Sequence, residues 1–250
     1  MGQIKVKGIV ISENNMNDFD KMITILTPNG KIGCSAKGAR RTKSLLLAGT
    51  QFLCFGDFLL YKGNDIYSVN SCEPIEIFYN IRNDLDKLMI AAEITKIIND
   101  VTTENQNTYN ILKLYLNTLY TLSEKEKEPN LIMSIFKLRL LKILGFTPNV
   151  EECVCCRNKE NIKYFSFKDN GFKCSSCGKI DKGAVEMSEG TYKSIIYAIK
   201  ADIKKLYSIT VPENVIKELE IISKIYLEEK LEKKYWWNKK LAIILINLYN

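Results

Sequence analysis

Two pairs of cysteines restrict the fold of this 250-residue chain more than any other feature of its sequence. Cys153 and Cys156 form one Cys-x2-Cys pair, and Cys174 and Cys177 form a second pair after seventeen intervening residues. Two cysteines three positions apart on a tight turn direct both thiolates at one point, and two such turns complete a tetrahedron. The spacing therefore predicts that these four thiolates bind one zinc ion.

Cys155 leaves an alternative open within this ligand set. Adjacent residues point in different directions, so Cys155 and Cys156 are not expected to bind one ion together, and Cys155 in place of Cys153 is the competing arrangement. Free buried thiols without a metal are the less favoured alternative. Four thiolates close the coordination shell, whereas a catalytic zinc keeps an open position. We therefore predict one structural zinc ion.

The chain has no histidine, which excludes many kinds of enzyme. Ser-His-Asp and Cys-His catalytic sites and HExxH metalloproteases all require an imidazole. Neither a GxxxxGK[ST] nor a GxGxxG motif is present, so nucleotide binding has no support. A zinc-dependent hydrolase or nuclease is the least favoured hypothesis, and we predict a protein that is not an enzyme.

The N-terminal residues, MGQIKVKGIV, lack the apolar core of a signal peptide. The longest apolar run, at residues 241–249, is too short to cross a bilayer as a helix. We expect a cytoplasmic protein without a membrane partner. Its thiols are then reduced, and the isolated Cys34, Cys54 and Cys72 are expected to be small core residues.

Residues 1–79 have the period-2 pattern of β-strands. About five short strands are predicted there, linked mainly by tight turns such as residues 27–30 and 62–65. So short a β region must close on itself to hide its strand edges, which favours a five-stranded OB-fold barrel. An SH3-like barrel is the nearest competitor.

After Pro74 the apolar period changes to about 3.6 residues, and we predict an α-helical bundle domain over residues 80–250. A zinc-binding module at about residues 150–182 interrupts it, so the fold class is α+β. The helix at 81–101 is apolar on two sides and is expected to be central to the bundle. Further helices are predicted at 107–123, 129–144, 188–206, after Pro212, and near 239–249.

Positive charge is concentrated in one short region, although the net charge of +7 is modest. Residues 21–56 contain six basic residues and no acidic residue: Lys21, Lys31, Lys37, Arg40, Arg41 and Lys43. Several of them lie in a glycine-containing stretch after a strand, where they could project from a barrel rim and contact phosphates. The six residues are our predicted DNA-binding set, and a solvated charged loop is the alternative.

Aromatic side chains on the later strands offer a second way to hold nucleic acid, because aromatics on an OB-type barrel can stack on bases. Most aromatics in strands of this length are core residues, so stacking is the less favoured interpretation. The residues concerned are Phe52, Phe55, Phe58, Tyr61 and Tyr67.

Taken together, these segments resemble the RecO family of bacterial recombination mediators. The resemblance is carried by "GIVISENNMNDFDKMITILTPNGKIGCSAKGARRTKS" with "LCFGDFLLYKG", and by "LRLLKILGFTPNVEECVCC" with "FSFKDNGFKCSSCG". The order of these segments agrees over essentially the whole chain. Cys155 is an addition to the family pattern, and the tail "LEKKYWWNKKLAIILIN" matches it only loosely.

The resemblance implies DNA repair and recombination without covalent chemistry, in the bacterial cytoplasm at the nucleoid. It implies binding of single- and double-stranded DNA and annealing of strands coated by single-stranded DNA-binding protein, whose acidic C-terminal tail is a contact. It also implies a role with RecR in loading RecA. An adaptor whose helical domain docks protein partners, with little DNA binding, is the alternative.

Overall fold

The computed structural model describes residues 2–63, 66–124 and 127–235. Five strands come first: β1 (Gln3–Met16), β2 (Asp20–Thr27), β3 (Gly30–Ala36), β4 (Phe55–Lys62) and β5 (Tyr67–Glu76). Four helices follow: α1 (Tyr79–Arg82), α2 (Leu85–Val101), α3 (Tyr109–Ser123) and α4 (Pro129–Ile143). The remainder is β6 (Ile162–Ser166), β7 (Gly171–Cys174), α5 (Ser175–Ile180), β8 (Val185–Glu186), α6 (Glu189–Lys200), a 3-10 turn (Ile203–Lys205) and α7 (Glu213–Lys230). The helix predicted near residues 239–249 lies outside the described residues.

The first five strands form a closed barrel in the order β1-β2-β3-β5-β4. The long strand β1 pairs with β2 through Ile9–Met16 and with β4 through Gln3–Ile9, so it contributes to two sides of the barrel. A short parallel pairing of β3 with β5, at Cys34 and Tyr67, completes the closure. The architecture confirms the predicted α+β class with a five-stranded OB-like barrel.

The barrel interior is filled by alternating apolar residues from the strands, as the period-2 pattern requires. Phe58 is the largest of them, and Cys34 and Cys54 are buried in the same core, as expected. Cys72 is only partly buried and packs against this core. The fully or largely buried set is Val10, Ile23, Ile25, Cys34, Ala36, Ala39, Cys54, Phe58, Leu60 and Val69.

The chain divides into two compact units, one ending at Leu119 and the other beginning at Tyr120. In the first unit, the connection between α2 and α3 lies against the β2–β3 turn. Gly30 adopts a φ of +106°, and a Cβ there would lie 2.6 Å from the carbonyl oxygen of Thr103. Its N–H donates to the Thr108 hydroxyl at 2.9 Å. These contacts group α2 with the barrel, and the predicted domain boundary after residue 79 stays a prediction.

In the second unit, α4 is buried along its length, from Leu131 to Leu141. It packs against α6 and α7, so α4 occupies the central position that the sequence pattern assigned to residues 81–101. Helix α2 belongs to the other unit, and that expectation was wrong. Ser188 caps α6, with its side chain accepting from Thr191 N–H, but the helix predicted over 188–206 ends at Lys200.

Candidate metal centre and nucleic-acid interface

Four cysteine sulfurs meet in the second unit. The Sγ atoms of Cys153, Cys156, Cys174 and Cys177 all lie within 4.8 Å of one another. Those of Cys156 and Cys174 are 3.7 Å apart. A regular tetrahedron with zinc–sulfur distances of about 2.3 Å has its sulfurs about 3.8 Å apart, so this spacing fits the metal well. Cys155 is exposed and is not a member of the cluster.

Local backbone geometry positions each pair. Cys153 N–H donates to the carbonyl oxygen of Asn158, and Arg157 N–H donates back to the carbonyl oxygen of Cys153, both at 2.8 Å. Arg157 takes a φ of +61°, which tightens the turn. Cys174 is the last residue of β7 and directly precedes α5. Cys177 lies within α5. A β-hairpin, β6–β7, joins the two pairs.

Two of the four cysteines favour the thiolate, Cys153 and Cys174, whereas hydrogen bonds with neighbouring thiols raise the pKa of Cys177, and the pKa of Cys156 is also raised. Burial alone would raise the pKa of the Cys153 thiol, but backbone hydrogen bonds from Cys156, Cys174 and Cys155 lower that pKa to about 6. A backbone hydrogen bond from Cys177 lowers the pKa of Cys174. Anionic sulfur surrounded by peptide N–H groups is the form that binds a divalent metal. The donor set therefore suits a closed metal site.

The module built around these cysteines packs tightly at Gly178. A Cβ at this position would lie 2.1 Å from Cδ2 of Tyr164, so only glycine allows α5 to lie this close to β6. Aromatic rings of the hairpin also contact the neighbouring helices. The ring centroids of Phe165 and Tyr226 of α7 are 5.3 Å apart, and those of Phe172 and Tyr192 of α6 are 4.9 Å apart. The hairpin is therefore part of the core of the second unit.

A buried ion-pair group reinforces the hairpin. Lys173 is only 4% exposed, and its ammonium pairs with Asp169 and lies 2.7 Å from Asp181. Ser166 Oγ donates to the same Asp181 oxygen at 2.6 Å. Hydrogen bonds from Lys173 and Ser166 lower the pKa of Asp181 to about 2. The charges are satisfied within the module, which assigns these residues to its structure.

The first unit carries the exposed positive charge. We define the basic loop as residues 37–43, which lie in a series of turns directly after β3. Its four cations are solvent-exposed: Lys37, Arg40, Arg41 and Lys43. Residues 21–56, which include the basic loop, contain no acidic residue that could neutralise these cations. The loop therefore presents a local positive field to solvent.

The basic loop is fastened to the turn that joins β1 to β2. The backbone N–H of Arg40 donates to the carbonyl oxygen of Phe19 at 3.0 Å. Its guanidinium donates to the carbonyl oxygens of Asn17 and Asp18, each at 3.2 Å. Gly38 N–H donates to Asp20 Oδ1 at 2.7 Å. These bonds hold the loop in place although it lies at the surface.

The structure separates two of the six predicted DNA-binding residues from the other four. Lys21 is largely buried, with its ammonium 2.7 Å from Glu13. Lys31 Nζ donates to Asn99 of α2, at 2.8 Å to the carbonyl oxygen and 3.0 Å to Oδ1. Because Lys21 and Lys31 bind protein groups, they do not share the free exposure of the basic loop. Their role in DNA binding stays a prediction.

The aromatics singled out in the sequence divide in the same manner. Phe52 and Phe58 are core residues, whereas Tyr61 is 37% exposed. Phe55 and Tyr67 are half-buried. Sequence reasoning missed Phe19, which is 48% exposed and lies under the guanidinium of Arg41, with Arg41 Cζ 5.2 Å from the ring centroid. The signal was a phenylalanine directly after the turn-forming pair Asn17-Asp18.

Within the described ranges, no helix is both long and apolar enough to cross a membrane.

Two family models cover nearly all of the chain. Residues 1–78 match the model of the Recombination protein O N terminal, and residues 82–239 match that of the Recombination protein O C terminal.

Curated relatives agree with the family models. The DNA repair protein RecO of Acetivibrio thermocellus is 47% identical over 237 residues, which are 94% of this chain and 94% of the relative. The DNA repair protein RecO of Alkaliphilus metalliredigens is 35% identical over 232 residues, covering 92% and 94% of the two chains. That of Thermoanaerobacter sp. is 32% identical over 236 residues, covering 94% and 95%. The chain therefore belongs to the RecO family of DNA repair proteins.

Proposed function

We propose that this protein is a non-enzymatic recombination mediator that binds single- and double-stranded DNA through the basic loop. The observation that carries the proposal is the exposure of four cations on one short segment that hydrogen bonds hold against the β1–β2 turn. Arginine binds phosphate with a planar, bidentate geometry, which suits Arg40 and Arg41 to the DNA backbone. Contacts of this kind position the strand without reading its sequence.

The contact set that we favour is the exposed one. Lys37, Arg40, Arg41 and Lys43 are exposed, and Arg40 uses only Nη1 of its guanidinium for the carbonyl oxygens of Asn17 and Asp18. Lys21 would first have to leave Glu13, and Lys31 would have to leave Asn99. Four phosphates neutralised on a single strand give a log–log salt slope near −3, at about 0.7 per phosphate. Residues 1–79 are accordingly proposed as the DNA-binding domain and residues 80–250 as the helical domain.

We also propose that the four-cysteine cluster holds one zinc ion with a structural role. The sulfur spacing fits zinc, and four thiolates leave no open position for a substrate or an activated water. When bound, the ion would cross-link the two cysteine turns, and the hairpin between them packs against α6 and α7. The ion would thus stabilise the helical domain. Its ligands lie more than 100 residues after the basic loop in the sequence.

Membership of the RecO family supports the partners of this proposal: single-stranded DNA-binding protein through its acidic C-terminal tail, RecR, and RecA indirectly. The proposed place of action is the cytoplasm, at the nucleoid. In this scheme the protein brings complementary coated strands together and, with RecR, helps to load RecA. Each step needs reversible, sequence-independent attachment to DNA, which a salt-sensitive basic surface provides.

Strand annealing tests the proposal. The full chain is mixed with complementary oligonucleotides, bare or coated with single-stranded DNA-binding protein, and duplex formation is followed by fluorescence. We expect faster annealing than with buffer in both cases, and a loss of the effect when Arg40 and Arg41 are replaced by alanine. A folded protein that neither anneals strands nor binds DNA at low salt, but captures single-stranded DNA-binding protein or RecR, would instead support the adaptor hypothesis.

A further inference from the structure

The turn between β1 and β2 carries an apolar side chain where a polar one is usual. Phe19 directly precedes β2 and remains 48% exposed, and Met16, at the end of β1, is 45% exposed. Asn17 supplies the positive φ that this turn needs, with a value of +48°, so a phenylalanine is not required for the turn itself. The barrel core does not account for the exposed half of the ring.

We propose that Phe19, with Arg41 over its ring, stacks on an unpaired base and so adds affinity for single-stranded DNA that an intact duplex does not gain. The ring would stack on one unpaired base while the cations of the basic loop hold the neighbouring phosphates. The inference rests on the proposed function, because it concerns the same surface. It adds a base-stacking contact that neither the charge pattern nor the strand aromatics predicted.

The ring is held in a defined position. The carbonyl oxygen of Phe19 accepts a hydrogen bond from the backbone N–H of Arg40. The carbonyl oxygens of Asn17 and Asp18 accept hydrogen bonds from the Arg40 guanidinium. Arg41 lies over the ring at a cation–π distance, with 5.2 Å from Cζ to the centroid. Little conformational freedom is therefore lost when a base meets the ring, which favours binding.

Charge around the ring suits a nucleic-acid strand, although not uniformly. Asp18 is an exposed carboxylate in the same turn and repels phosphate. The carboxylate of Asp20 is engaged by Gly38 N–H at 2.7 Å. Against these two acids stand the four exposed cations of the basic loop, so the sum is positive. A base, which is uncharged, can lie at the ring while the phosphates on either side lie toward the cations.

The topology also favours this position. In OB-type barrels the connection between the first two strands is one of the loops that bind oligonucleotides. Phe19 lies in that connection here. Stacking on an aromatic side chain needs a base whose face is free, which a single strand offers and an intact duplex does not. Phosphate contacts alone would treat both forms of DNA more evenly.

Equilibrium binding to a fluorescent single strand and to a hairpin duplex of equal nucleotide number, at one salt concentration, tests the inference. Phe19→Ala is expected to weaken single-strand binding about five- to 150-fold, the range for one stacked base. Duplex binding is expected to stay within about twofold of the wild type. Met16→Ala removes an equally exposed apolar side chain from the adjacent strand end and is expected to change neither affinity.

Phe19→Leu separates stacking from apolar contact, since leucine keeps much of the volume but has no aromatic face. It is expected to behave like Phe19→Ala. Single-strand affinity at the wild-type level in Phe19→Leu, or equal weakening on both DNA forms in either variant, would overturn the inference. A wild-type protein that binds neither DNA at low salt would contradict the proposed function itself, so the two failures are distinct.

Discussion

Lys21 and Glu13 form an ion pair across β1 and β2, with Nζ 2.7 Å from Oε2 and side chains only 10% and 15% exposed. A pair shielded to this extent is costly to break, because the remaining partner is left as a shielded charge without a counterion. The pair therefore places Lys21 within the structure of the barrel. Positive charge at this position is balanced before any phosphate approaches.

Lys21→Met should lower the free energy of unfolding by about 1–3 kcal/mol, because Glu13 loses its partner. The salt slope of DNA binding should stay unchanged in the folded fraction. The double variant Glu13→Gln/Lys21→Met should recover part of the stability, since no unpaired charge remains. Urea unfolding and a salt titration decide this prediction. A stable variant with a slope reduced by about 0.7 would make Lys21 a phosphate contact instead.

Cys155→Ser should retain one zinc ion per chain, whereas Cys156→Ser should lose it. The reason is the position of the sulfurs, since Cys156 belongs to the cluster and Cys155 does not. Zinc content by atomic emission, measured on both purified variants, is the readout. Zinc binding of this kind is worth about 10–16 kcal/mol in small peptides, so the second variant should also melt at a lower temperature. Equal zinc content in the two variants contradicts the assignment.

Gly178→Ala should weaken the metal module, because its Cβ would meet the ring of Tyr164 at 2.1 Å. Overpacking of this kind typically costs about 1–3 kcal/mol. Zinc should be released to a chelator faster than from the wild type, and the additional change Tyr164→Gly, which also removes the Tyr164 Cβ that would lie 2.7 Å away, should slow the release again. Gly183→Ala is the control, since its nearest neighbour would be 3.6 Å away. Identical release from both alanine variants would show that the close approach is unimportant.

Glu218→Gln should destabilise the protein near neutral pH by about 1 kcal/mol. Its Oε2 accepts from Ser188 N, Ser188 Oγ and Thr191 Oγ1 at 2.8, 2.9 and 2.6 Å. Burial alone would raise the pKa of Glu218, but these donors lower it below the ordinary 4.5. A lowered pKa in the folded state stabilises the protein above pH 4.5, and the contribution is lost as the pH falls below it.

The difference in unfolding free energy between the wild type and Glu218→Gln should therefore narrow as the pH falls from 7 through 4.5. The free energies of unfolding are measured by denaturant titration of both proteins in parallel at each pH. Any loss of metal at low pH then affects both proteins equally. Glu229→Gln, at an exposed position of the same helix, should match the wild type throughout. A constant difference between wild type and Glu218→Gln at every pH would contradict the role assigned to the charge.

The barrel and the cysteine cluster could be predicted from the sequence because both are encoded locally. Period-2 alternation with turn residues defines strands, and two Cys-x2-Cys pairs define a ligand set. The status of Lys21 and Lys31 could not be predicted, because their partners, Glu13 and Asn99, are brought to them by strand pairing and by α2. Charge counted along the chain does not distinguish a paired cation from a free one.

The central helix was assigned wrongly for a similar reason. Residues 81–101 and 129–144 are both broadly apolar, and only the neighbours decide which helix is surrounded. The end of α6 at Lys200 follows from Ala201, which takes an extended ψ of 150°, and from Asp202, whose side chain caps the next turn. Apolar spacing alone continued through these residues and hid the break.

The salt dependence of single-strand binding tests the central claim most directly. The wild type is compared with Arg40→Ala/Arg41→Ala and with Lys204→Ala/Lys205→Ala, which removes the same charge from exposed positions elsewhere. We predict a wild-type log–log slope near −3, a slope flatter by about 1.4 with weaker binding in the arginine variant, and no change in the lysine control. Equal slopes and affinities in all three folded proteins would contradict DNA binding through the basic loop.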